Sequence, residues 1–181
     1  MMIDYVTLLL INMVAGFFLL GCFILHGLDA QDKNNWAPAF GICGLVATVC
    51  GFVMTFSWPL PYPYNIAFGE MSVLLGVLFL GTAVALAKGW GLVPIALYGF
   101  FAGSAAILLG VRIIDLGLTN SPILSGAGFI LSGAAGVFAP IVVWQEEQKG
   151  LRVIGAVVLF AAAGIWAWTA CLAYWAHMLP K

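Results

Sequence analysis

One carboxylate stands where carboxylates are costly. Glu70 lies about one turn inside the apolar run 66–87, just after the connector Trp58-Pro59-Leu60-Pro61-Tyr62-Pro63-Tyr64-Asn65. An ionisable side chain in a hydrocarbon span costs about 2.5–3.5 kcal/mol on insertion scales, so it is read first as part of a site. Two roles suit it. At the mouth of a path, Glu70 would orient a small solute, with Arg112 as its partner and Tyr64 and Asn65 shaping the entrance. As a structural group, it would cap the start of its helix or pair with Arg112 near the same surface.

Other reactive groups are sparse. His26 and His177 fall at the ends of different helices, on opposite faces, where they cannot share a catalytic or haem site. Cys22, Cys43, Cys50 and Cys171 lie in apolar runs without C-x-x-C spacing and read as packing residues. There is no G-x-S-x-G, H-E-x-x-H, P-loop or dinucleotide fingerprint. No enzyme activity, metal or cofactor is therefore expected. What remains is 13 Phe, 7 Trp and 5 Tyr, with a few hydroxyls and amides inside the spans: Asn12, Thr48, Thr55, Ser72, Thr82, Ser104, Ser132 and Thr169. Aromatic walls with scattered hydroxyls suit a narrow conduit for a neutral solute, and their lack of charge would exclude ions. Trp166 and Trp168, with Tyr174 and Trp175, are the lining candidates on the last helix.

These residues must be positioned by helices in a bilayer. The chain is 64% hydrophobic and 7% charged, with mean hydropathy +1.13, whereas soluble domains carry about 25% charge. Its net charge of −1 gives no basic field for nucleic acid. Apolar runs at 5–26, 37–57, 66–87, 92–113, 122–144 and 151–177 each reach the ~20 residues of a spanning helix. The expectation is an all-α membrane protein, with residues 1–181 as a single six-helix transmembrane domain. Leu19-Leu20-Gly21-Cys22 looks like a lipoprotein cleavage box, but Asp4 and the absence of Lys or Arg before it favour a retained helix.

Lys33, Lys88, Lys149 and Arg152 share one side, against Arg112 and Lys181 on the other. That balance puts the odd connectors in the cytoplasm and both termini outside, in the cytoplasmic (inner) membrane. Trp36, Trp58, Trp90, Trp144 and Trp175 sit near span ends, as interfacial anchors do. A weak repeat of Gly-x4-Gly in the odd helices (Gly16 and Gly21, Gly76 and Gly81, Gly128 and Gly133) suggests three helical hairpins of one design. Gly99-Phe-Phe-Ala-Gly103 is the clearest close-packing motif.

Two resemblances follow. Tyr64-Asn65-Ile66-Ala67-Phe68-Gly69-Glu70, then Leu74-Leu75-Gly76, resembles the signature of an uncharacterised prokaryotic six-helix membrane family, a domain of unknown function, over the whole chain. It brings no activity. More distantly, the chain resembles the urea channel and amide transporter family, the AmiS/UreI type. The carriers are the aromatic-Gly opening of the third helix before Leu-Leu-Gly, and Trp168-x6-Trp175-x-His177 at the end. That resemblance implies a twisted bundle with a solute path in each protomer, a homo-oligomer often built as a hexameric ring, and passive passage of urea or short amides. This chain departs from the pattern in two ways. Ala161-Ala162-Ala163-Gly164 has no carboxylate, and the outer connectors have no histidine to support acid gating.

The expected function is a membrane channel or facilitator for a small uncharged solute: urea, a short amide or ammonia. Its partners would be the lipid bilayer, that solute and further copies of the chain. Glu70, Arg112, Tyr64, Asn65, Trp166 and Trp168 would form the path or its mouth, with the acid of Glu70 inside the bundle. The alternative is a structural or accessory subunit of a larger membrane complex.

Overall fold

The computed structural model describes residues 5–178. Asp4 and Lys181, which enter the leader and orientation arguments, lie outside the described residues. Helix α1 (Tyr5–Cys22) continues as a π-helical turn, Phe23–Gly27. A 3-10 turn, Asn34–Trp36, leads into α2 (Ala37–Ser57), and a π-helical segment, Asn65–Glu70, runs into α3 (Met71–Lys88). Helices α4 (Val93–Leu116), α5 (Pro122–Trp144) and α6 (Lys149–His177) complete the chain. All six spans, of 23 to 29 residues, are long and apolar enough to cross a membrane. Such a set of helices marks an integral membrane protein.

Local sequence sets the boundaries. Proline opens α2, α4 and α5 within the first two positions, where its missing N–H is no loss. Gly89 and Gly117 close α3 and α4 in the left-handed region, at φ 67° and 62°, a conformation that glycine adopts without a Cβ clash.

Consecutive helices are neighbours, and α6 returns against α1, so the six form a ring in chain order. The bond between Thr7 Oγ1 and His177 Nδ1, at 3.2 Å, fastens the start of α1 to the end of α6. His26, after α1 has crossed, lies at the other end.

The tightest seams do not follow the three expected hairpins. They fall between α2 and α3, α4 and α5, and α1 and α6, and in the first two, glycines bring the backbones together. On α4 and α5, Gly99, Gly103 and Gly110 meet Gly136, Gly133 and Gly126 backbone to backbone. A Cβ on Gly136 would stand 2.7 Å from the carbonyl oxygen of Gly99, and one on Gly110 at 2.7 Å from that of Gly126. On α2 and α3, a Cβ on Gly44 or Gly51 would meet the backbone nitrogen of Leu80 or Val73 at 2.6 and 2.7 Å. Lipid gives helices no hydrophobic reason to associate, so close backbone approach supplies the packing energy. The repeated glycines also serve different ends: Gly16 and Gly21 make room for the rings of Phe79 and Phe160, whereas Gly76 receives Thr48.

Candidate functional site

Within the ring lies a chamber of about 400 Å³, lined from α1, α3, α4, α5 and α6. Small side chains on two neighbouring helices create it: Ala102 and Ala106 on α4, Ala135 and Ala139 on α5. Larger residues from the other helices, including Phe17, Leu75 and Leu159, close the wall. Its side-chain polar groups are the hydroxyls of Thr82 and Ser132 and the indole N–H of Trp166. Each hydroxyl donates to a carbonyl one turn earlier, Thr82 to Leu78 at 2.8 Å and Ser132 to Gly128 at 2.7 Å. Ser132 Oγ also accepts from Trp166 Nε1 at 3.0 Å. No side-chain donor is left over for a polar guest.

Towards the termini, aromatic rings narrow the space. Tyr64 stacks on Phe68, Phe68 packs on Phe129, and Phe129 meets Trp166 edge-on at 5.1 Å. Met13, Met71, Leu75 and Phe129 line both the chamber and a second cavity of about 40 Å³ beyond them. These four residues form a constriction between the two.

Tyr64 and Asn65 lock this end. The Tyr64 hydroxyl donates to the carbonyl of Leu118. Asn65, with 0% of its surface exposed, donates from Nδ2 to Leu60 O at 2.5 Å and accepts from Leu60 N at 2.9 Å. The amide thus closes the Pro/Tyr connector on itself, and its polar atoms are spent on that backbone.

Glu70 is a correction. The carboxylate is exposed on the outside of the bundle, with no hydrogen bond or ion pair among the described residues. Its neighbour explains the direction: Gly69 is buried and packs against Met54 and Thr55 of α2. One residue on, a helix has turned ~100° and presents its side chain elsewhere. Arg112 does not meet Glu70 either; it pairs with Asp115 at 2.5 Å, one turn along α4, with both side chains exposed.

The tryptophans divide in the same way. Trp166 is 1% exposed and lines the chamber, whereas Trp168 is 61% exposed on the outer face. Residues two apart on a helix differ by ~200°, so the two cannot share a wall. Trp175 and Tyr174 are also exposed. Of the six expected site residues, Trp166 alone lines the chamber.

The opposite end holds a group that sequence reasoning took for loop charge. Arg152, in the first turn of α6, is 3% exposed. Its Nε and Nη2 donate to the carbonyls of Ile24 and Leu25, each at 2.6 Å, and Nη1 donates to the Asp29 carboxylate. Helix ends leave carbonyls without intrahelical partners, and a cation there also complements the helix dipole. Ile24, Leu28 and Leu151 line the chamber, so the guanidinium fastens the chain at its rim. A hydrogen bond from Arg152 holds the Asp29 carboxyl below the usual carboxylate range, against the opposing effect of desolvation and with help from the charges of Arg152, Lys149 and Lys33. Lys33 and Glu146, 3.7 Å apart, join the connector after α1 to the one before α6. The available signal was an arginine opening an otherwise apolar helix.

A family model described as a protein of unknown function (DUF981) matches residues 1–179, and the chain belongs to that family. No curated protein and no solved structure matches it. The resemblance carried by residues 64–76 agrees with this membership, while nothing in these matches links the chain to urea channels.

Proposed function

We propose that this member of the DUF981 family is an integral membrane protein that takes a small, uncharged and largely apolar molecule into its chamber. One observation carries the reading: an apolar space of about 400 Å³ within the bundle whose only two hydroxyls are already bonded. Pockets that hold small molecules fall in the range of about 300–1,000 Å³.

The lining also bears on passage. Burying an amide without a compensating hydrogen bond costs about 2–7 kcal/mol, and urea or acetamide presents several such groups. Ammonia presents fewer. Apolar molecules cross lipid unaided, so for them a chamber is of use for binding rather than for conduction. The orientation with termini outside the cytoplasmic membrane and the urea, amide or ammonia channel belong to this proposal as its transport form.

The test uses fluorobenzene and full-length protein in nanodiscs, followed by 19F NMR. Saturable exchange broadening, absent from empty nanodiscs and lost in Ala135→Phe, is expected. Partition into lipid alone, identical with and without protein, would reject chamber binding. Stopped-flow flux of urea, acetamide and ammonia in proteoliposomes then separates binding from passage.

A second reading, an accessory subunit or self-associating scaffold, is favoured by Glu70. An exposed carboxylate near the start of a span has no internal partner among the described residues, so its cost is best met by another chain.

A further inference from the structure

The chamber is elongated. Its lining follows α5 from Phe129 to Val143, about 20 Å at 1.5 Å per residue. It also reaches the outer surface: Phe138, Ile141 and Ile154 line it, yet all three are exposed on the outside of α5 and α6. The seam there is loose. A Cβ on Gly155 would find its nearest neighbour, Val142 Cγ2, only at 3.7 Å, although nearer the termini Gly128 packs closely on Trp166. The α4–α5 seam, by contrast, closes backbone on backbone.

We infer that the chamber holds one hydrocarbon chain, admitted sideways from the bilayer between α5 and α6. This rests on the reading of the chamber as a binding site and names its guest. A linear guest suits a space that runs about 20 Å along α5. An apolar lining asks for no hydrogen bonds, and a cavity of this character excludes water in favour of hydrocarbon. Entry from the side suits the exposed residues at the seam, because a chain leaving lipid through Phe138, Ile141 and Ile154 meets hydrocarbon throughout. Its tip comes to rest against Phe129 and Trp166, whose indole N–H is already turned to Ser132. The same chain could belong to a bilayer phospholipid or to a free single-chain molecule.

Photolabelling distinguishes the two. Full-length protein in nanodiscs is irradiated with a phospholipid bearing a diazirine at the end of one acyl chain, or with a free n-alkanol bearing the same group. Adducts are mapped by mass spectrometry. Interior adducts on Leu75, Ala102 or Ala135 in the phospholipid arm identify a bilayer tail as the guest; in the alkanol arm alone they identify a free chain. Ala135→Phe should lower interior labelling about tenfold and leave adducts on the outward residues Phe101 and Leu108 unchanged. Ile154→Trp, a change at a site 63% exposed and so compatible with folding, should slow interior labelling by narrowing the seam. Adducts confined to outward residues in both arms would overturn the inference. If fluorobenzene still binds in that case, chamber binding stands without a chain; if neither binds, both readings fall.

Discussion

Arg152 and Asp29 are bonded across 123 positions of sequence, and the bond ties the first turn of α6 to the connector that follows α1. The arginine is buried and the aspartate exposed, so the two ends of the bond respond differently to substitution. Arg152→Ala leaves the carbonyls of Ile24 and Leu25 without their donor. Hydrogen bonds to charged groups contribute about 1.5–3 kcal/mol each and are not additive, so a loss of roughly 2–4 kcal/mol is expected. Arg152→Lys should recover only part of it, because an ammonium cannot reproduce the planar fork. Thermal unfolding in detergent measures both.

The same pair predicts a pH dependence. The folded state lowers the Asp29 carboxyl below its ordinary value. A lowered carboxyl contributes stability that is full above its unfolded-state value and is lost as pH falls through the folded-state one. The difference in melting temperature between wild type and Asp29→Asn should therefore be greatest near neutral pH and should close in acid, below the ordinary carboxylate range. A difference that stays constant over the series would show that the bond to Arg152 does not set the titration.

Asn65 and Glu70 make a contrasting pair on one segment. Asn65→Ala removes both bonds to the Leu60 backbone and leaves buried groups unmet, at about 1–3 kcal/mol. Glu70→Gln should leave the protomer's melting unchanged, because the side chain touches no internal partner among the described residues. If the scaffold reading holds, Glu70→Gln should instead alter the oligomer seen by crosslinking in native membranes.

A glycine inside a seam and one outside any seam predict opposite outcomes for one kind of change. Gly133→Ala places a methyl 2.5 Å from the carbonyl oxygen of Gly103, and overpacking of this sort costs about 1–3 kcal/mol. Gly164→Ala meets nothing within 4 Å and should stabilise α6 by about 0.5–1 kcal/mol, the helix preference of alanine over glycine. Melting curves of the two single variants, run side by side, test the seam.

The spans were legible because composition alone identifies them; the third and sixth begin one and two residues early, at Asn65 and Lys149, while the second begins three early, at Asn34, and the fourth ends three late, at Leu116. Which way a side chain faces was not legible. In a soluble helix, polarity marks the outer face, but here Trp166 faces the chamber and Trp168 the outside from equally apolar surroundings. The inward face could have been read only through close contacts such as Gly69 on Met54 and Thr55, which direct Glu70 outward. Arg152 was hidden for another reason. It follows the Gln145–Gly150 turn, so a buried charge looked like one more solvated one.

The closure of the ring by α6 on α1 bears on how the protein is made. Helices leave the ribosome in order, N-terminal first, so the wall that α6 completes is the last to arrive. Until then the flank of α1 that α6 covers stands open to its surroundings. The α1–α6 contact is thus the last seam of the ring that synthesis can close.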